Sequence, residues 1–296
     1  MASSSEILSH ILSAPLPSSG PVTYHFLLPN VKGLEDFIAV RDKHASSPHI
    51  PLNTNATESS TSDIYSEGQS DDSNLTGNIS RRGRPNVEIS IFTAATESFS
   101  KKNVNCSVAD SIERFKPLVD LAKKNDIRIR AYISVALGCP YEGPDVDPHK
   151  VASIATTLLE MGAEEISIGD TTGMGTAPRT AGLLRVLTAA GIQKEDIALH
   201  LHDTFGQALI NAAVGLEHGI RTFDSAIAGL GGCPFSPGAT GNVATEDLVY
   251  MFESLGVRTS TDISKLALVG NWISKELGRP NESRAGKATM AKFVPR

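Results

Sequence analysis

The chain has 296 residues, 40% of them hydrophobic, 20% charged and 5% aromatic, and its 27 Lys and Arg stand against 33 Asp and Glu for a formal charge of −6. That balance suits a globular core, and the lack of any basic run or aromatic cluster excludes a nucleic-acid surface. No apolar run approaches the roughly 18 residues a membrane span needs, and no Lys or Arg precedes Lys32, so neither a span nor a secretory signal nor an Arg-rich transit peptide is expected.

Residues 1–21 are Ser- and Pro-rich and read as a disordered N-terminal segment. From residue 22 to residue 296 the chain reads as one domain. Its first strand, VTYHFLL (22–28), precedes a helical GLEDFIAVRDKH. A disordered insertion at 45–86 follows: residues 45–80 hold nine Ser, four Thr and four Asn, no Lys or Arg, and no helix or strand period. Its Asn-x-Ser/Thr triplets at Asn55, Asn74 and Asn78 are of the kind such composition produces by chance. Next come VEISIFTA (87–94) before SVADSIERFKPLVDLAKKN, and IRIRAYISVA (127–136) before DPHKVASIATTLLEMG. EEISIGD (164–170) precedes TAPRTAGLLRVLTAAG, DIALHLHD (196–203) precedes GQALINAAVGLEHG, and RTFDSAIAGL (221–230) runs through a glycine-rich loop into TEDLVYMFESLG. Six strand–helix alternations predict parallel strands with helices outside, hence a doubly wound sheet or a TIM (β/α)8-type barrel. No Gly-x-Gly-x-x-Gly follows the first strand, and polar residues gather at strand ends where a barrel keeps its chemistry, so the barrel is favoured. With six of eight units visible, it is incomplete.

The strongest local signal is Leu-His-Leu-His-Asp, residues 199–203. Side chains alternate along a strand, so His200 and His202 face one way while Leu199 and Leu201 face the other. Such a pair serves equally as satisfied interior histidines or as metal ligands. The loop AGLGGCPFSPGATGN (228–242) comes after the next strand and so reaches the same rim, bringing Cys233 as a proton donor or acceptor and Asn242 as a hard carbonyl oxygen. Two imidazoles with oxygen ligands suit Mg²⁺ or Mn²⁺ better than structural zinc. Asp170 ends its strand, where an acid reads as catalytic or as a cap for the next helix. Cys139, in ALGCPYEG, borders the same end, while His25, His149 and His218 read as ordinary surface or core histidines. The three cysteines, Cys106, Cys139 and Cys233, are widely spaced and odd in number, as expected of free thiols in a reducing compartment.

Taken together, FTAATESFSKKNVNCS (92–107), ALGCPYEG, EISIGDTTGMGT, LHLHDTFGQAL and FDSAIAGLGGCPFSPGATGNVATEDLVYM resemble the 3-hydroxy-3-methylglutaryl-CoA (HMG-CoA) lyase family over residues 87–285. The resemblance implies a TIM barrel that cleaves HMG-CoA to acetyl-CoA and acetoacetate on a divalent cation, in leucine catabolism and ketone-body formation. It further implies that His200, His202 and Asn242 are metal ligands, with His200 also catalytic, that Cys233 is the acid/base thiol of a mobile loop, and that Asp170 is a catalytic-site carboxylate. Mitochondria are the implied compartment, with the cytoplasm as alternative, and an acyl-CoA the implied partner, with a homo-oligomer possible. The family's first strand ends in Gly-Pro-Arg-Asp and its second in Glu-Thr-Thr-Ser-Phe, and neither occurs here. Arg41-Asp42 follows a helical run and is a decoy. One carboxylate and one cation of the family's site are therefore missing from this sequence. The competing readings are a catalytically impaired truncated member and a related metal-dependent aldolase or acyl-CoA synthase.

Overall fold

The computed structural model describes residues 4–13, 22–45, 86–232 and 241–293. Residues 46–85 of the insertion expected at 45–86, and residues 233–240 of the loop bearing Cys233, lie outside them. The described residues fall into two compact units, divided at residues 24/25, 31/32 and 87/88.

The first unit contains α1 (Ser4–Ser13) and α2 (Val31–Ala45). Residues 4–13 are thus helical where the composition suggested a loose start. Ile7, Leu8, Ile11 and Leu12 recur at helical spacing, Leu8 is buried, and Ser9 Oγ meets His44 Nε2 at 2.8 Å.

The second unit is built on a sheet whose spatial order is its sequence order: β1 (Thr23–Leu27), β2 (Asn86–Ala94), β3 (Ile129–Ser134), β4 (Glu165–Asp170), β5 (Ile197–Leu201) and β6 (Thr222–Asp224). From β2 to β6 every pairing is parallel, with Ile91 opposite Ala131, Ile168 opposite Leu199, and His200 opposite Asp224. Helices fill the crossovers: α3 (Glu97–Val104), α4 (Val108–Glu113) and α5 (Lys116–Lys124) after β2, α6 (Pro148–Met161) after β3, α7 (Ala177–Ala189) after β4 and α8 (Ala208–Glu217) after β5. This is an incomplete (β/α)8-type barrel, with six strands among the described residues. Ile129, Ala131, Ile133, Ile166, Ile168, Leu199 and Leu201 are buried on the sheet face toward the helices.

Local chemistry sets the helix limits. Asp147 caps α6 by accepting from His149 N at 2.9 Å, Pro148 starts the helix, and Gly162 ends it at φ 126°. The single helix expected over 107–125 is broken at Arg114–Phe115, because Pro117 has no N–H to continue a ladder and instead opens α5. The last expected strand, 221–230, is also shorter. Its chain leaves the sheet after Asp224, and a 3₁₀ turn, Ile227–Gly229, forms in which Ala228 adopts φ 56°.

Beyond it lie α9 (Thr245–Ser254), α10 (Ile263–Glu276) and α11 (Arg284–Met290). The acidic pair that opens α9 is buried and spoken for. Glu246 accepts from Ala228 N at 2.9 Å, and Asp247 accepts from Ser283 Oγ at 2.6 Å and Ala285 N at 2.7 Å. These two carboxylates tie the turn before the glycine-rich loop, and the start of α11, to one helix end.

Candidate functional site

β5 delivers the histidine pair as its alternation requires. Leu199 and Leu201 are buried on one face, while the His200 and His202 rings lie 5.4 Å apart on the other. The segment after the glycine-rich loop returns beside them: Asp203 N donates to Gly241 O at 3.2 Å, Val243 N to Leu201 O at 3.0 Å, and His202 and Asn242 form an antiparallel bridge. Asn242 therefore stands next to His202. Its Nδ2 donates to Leu230 O at 2.9 Å.

His202 is 4% exposed, and its Nδ1 has no hydrogen-bond partner. Burial, and then the nearby His200, push its pKa down to about 4, so the ring is neutral at physiological pH. A buried neutral imidazole with an unsatisfied nitrogen, beside a second imidazole and bridged through its backbone to an asparagine, offers donor types that fit a divalent cation. Among the described residues no group of three or more His, Cys, Asp and Glu converges to hold a metal.

Asp170 is fully buried at the end of β4, and its main-chain oxygen accepts from His202 N at 3.3 Å. Its carboxylate, however, turns into its own loop and accepts from Gly175 N at 3.0 Å. Burial pushes this carboxyl up to about 7, against the opposing pull of the Gly175, Gly173 and Met174 N–H groups. Gly175 permits the close approach: a Cβ there would lie 2.6 Å from Asp170 Oδ2. Asn211 Nδ2, donating to Gly175 O at 3.0 Å, holds the loop from α8. Cys139 is buried against Thr96 Oγ1 at 3.1 Å, and Cys233 lies outside the described residues.

A second polar cluster, with no sequence motif of its own, lies beside the histidines. Asp224, at the end of β6, faces His200: its Oδ2 lies 3.1 Å from His200 Nδ1 and accepts from Ser167 Oγ at 3.0 Å. Its Oδ1 accepts from Arg130 Nη2 at 2.7 Å. Burial alone would raise this carboxyl, but the His200 hydrogen bond and the Arg130 charge outweigh it and hold the group below the usual range. Arg130 also approaches Glu165 with Nε at 2.6 Å, off the N–H axis and so as an ion contact, and it lies 4.9 Å above the Tyr132 ring. Tyr132 meets the His200 ring edge-on at 5.9 Å.

Comparison with known proteins decides the lineage. A family model described as HMGL-like matches residues 54–273. A lyase of Pseudomonas aeruginosa named 3-hydroxy-3-isohexenylglutaryl-CoA/hydroxy-methylglutaryl-CoA lyase is 49% identical over 205 residues, covering 69% of this chain and 68% of the relative. The chain belongs to the HMG-CoA lyase family. The crystal structure of hydroxymethylglutaryl-CoA lyase from Pseudomonas aeruginosa superposes with a TM-score of 0.78 at 39% identity, covering 99% of this chain and 80% of that one. The mitochondrial hydroxymethylglutaryl-CoA lyase of Arabidopsis thaliana is 49% identical over 68% of this chain, which spans 42% of the plant protein. Within the lyase family frame, the signal that could have found Asp224 and Arg130 was the same alternation that found His200. Arg130, Tyr132, Ser167 and Asp224 occupy its polar phase on β3, β4 and β6, and a charged residue in that phase faces the barrel interior.

Proposed function

We propose that this chain cleaves the carbon–carbon bond of HMG-CoA to give acetyl-CoA and acetoacetate in a divalent-cation-dependent reaction. The observation that carries the reading is the His200–His202 pair, with the buried, partnerless Nδ1 of His202 and Asn242 as its bridge neighbour. These three residues would hold Mg²⁺ or Mn²⁺. When bound, such an ion lowers the pKa of the substrate's tertiary hydroxyl and anchors its oxygens.

The chain's own groups supply the rest. The hydroxyl proton leaves as the carbon–carbon bond breaks, the hydroxyl carbon becomes the ketone of acetoacetate, and the electron pair passes to the acetyl-CoA enolate, which must then be protonated. Cys233 is the proposed proton donor, on the sequence pattern of its loop. Asp170 holds the loop at 171–175 against the His202 backbone. A solved relative carries coenzyme A and 3-methylmalate, in keeping with an acyl-CoA substrate. Relatives named both mitochondrial and cytoplasmic are known, and the mitochondrion is our proposed compartment, to be checked by fractionation.

The deciding experiment couples acetoacetate formation to a dehydrogenase and follows Mn²⁺ binding by its effect on water proton relaxation. Activity and Mn²⁺ binding should both fall in a His200→Ala, His202→Ala double variant. Identical Mn²⁺ curves for that variant and wild type would refute the cation site. Measurable Mn²⁺ binding without acetoacetate would favour a catalytically impaired member of the family.

A further inference from the structure

We infer that Asp224 is the positioning residue for His200, taking the Nδ1 proton of the imidazole so that Nε2 is left bare to face a cation. This rests on the proposed role of His200 as a ligand. The contacts of Asp224 admit one polarity. Arg130 Nη2 can only donate, and it occupies Oδ1 at 2.7 Å. Oδ2 is met by the Ser167 hydroxyl at 3.0 Å and by His200 Nδ1 at 3.1 Å. A carboxylate so placed, charge-paired and 17% exposed in its side chain, is an acceptor only, so the imidazole nitrogen facing it must carry the proton. A neutral imidazole with its proton on Nδ1 has its lone pair on Nε2.

The orientation is over-determined. Asp224 cannot swing away without leaving Arg130, and Arg130 is itself held by Glu165 and stacked on Tyr132, whose ring edge packs against His200. Side chains from β3, β4, β5 and β6 thus converge on the tautomer and tilt of one ring, which is how a ligand histidine is made more basic and more rigid.

The test uses the full chain, labelled with ¹⁵N at histidine, with His200 assigned through a His200→Gln variant. Wild type, in the pH range where the ring carries one proton, should show that proton on Nδ1 and a bare Nε2. An Nε2–H tautomer in wild type would overturn the proposal without any variant being needed. In Asp224→Asn, Arg130 keeps the amide oxygen and the NH₂ group turns toward His200, so the proton should move to Nε2. Mn²⁺ affinity should then fall about 10- to 100-fold. Affinity within twofold of wild type, in the face of a large loss in His200→Ala, would overturn the positioning role. No loss in His200→Ala would refute the ligand reading instead, while the tautomer would still report on Asp224.

Discussion

Asp170→Asn is the sharpest probe of how the site is paid for in stability. The folded carboxyl is raised from its ordinary 3.8 to about 7, chiefly by burial. Because the folded value is the higher one, protonation favours the native state. The stability it contributes is fully present below 3.8 and is lost as pH rises through about 7. At about 1.4 kcal/mol per pH unit, that span amounts to about 4 kcal/mol. Most of it is measurable: between pH 5 and pH 7 the native carboxyl is largely protonated and the unfolded one ionised, which corresponds to about 3 kcal/mol. An asparagine stays neutral throughout and can keep an oxygen toward Gly175 N. The stability of Asp170→Asn minus that of wild type should therefore rise by about 2–3 kcal/mol from pH 5 to pH 8. Urea unfolding at the two pH values, in chelator, reads this directly. His202, pushed down to about 4 by burial, destabilises the fold as acid approaches that value, but it is common to both proteins and cancels. A difference flat with pH would refute the buried, raised carboxyl, whatever its absolute size.

Three further outcomes are expected. Glu246→Ala leaves the Ala228 N–H buried without its acceptor and should cost about 1–3 kcal/mol in urea unfolding, with faster amide exchange at Ala228; unchanged exchange there would refute the tether. Residual lyase activity should depend on Cys233 more than on Cys106 or Cys139, so that Cys233→Ser loses most acetoacetate formation; equal losses in all three variants would mean damaged folding and remove the proton-transfer role. Among the described residues β1 and β6 each have a single strand neighbour in the sheet, so the purified chain should self-associate; a monodisperse monomer by light scattering would refute this.

The strands were legible because their apolar runs bury one face against helices: EISIGD and IALHL were bounded in the sequence to within two residues of β4 and β5. His200 and His202 were legible for the same reason, since alternation alone puts them on one face. Asp224 was not. It lies in the same polar phase, but its strand is three residues long, so alternation marks only the face it occupies, and its role depends on Arg130, 94 residues away in the chain. The Asp170 carboxylate illustrates a different limit. Its position at a strand end could be read from the sequence, but the direction of its oxygens depends on the turn at 171–175 and on Gly175 giving them room. The helix at 4–13 was masked by Ser- and Pro-rich composition on either side of a short amphipathic run.

The sheet order β1-β2-β3-β4-β5-β6 has a bearing on assembly during synthesis. Each strand's partner is the one made just before it, so pairing can advance as the chain emerges, with no strand waiting for a distant mate. The Arg130–Asp224 bridge is the exception: it skips two strands and cannot close until β6 has docked. It would act as a latch, drawing β3 through β6 into one cooperative block and leaving the His200 ring unfixed until the last of them is in place.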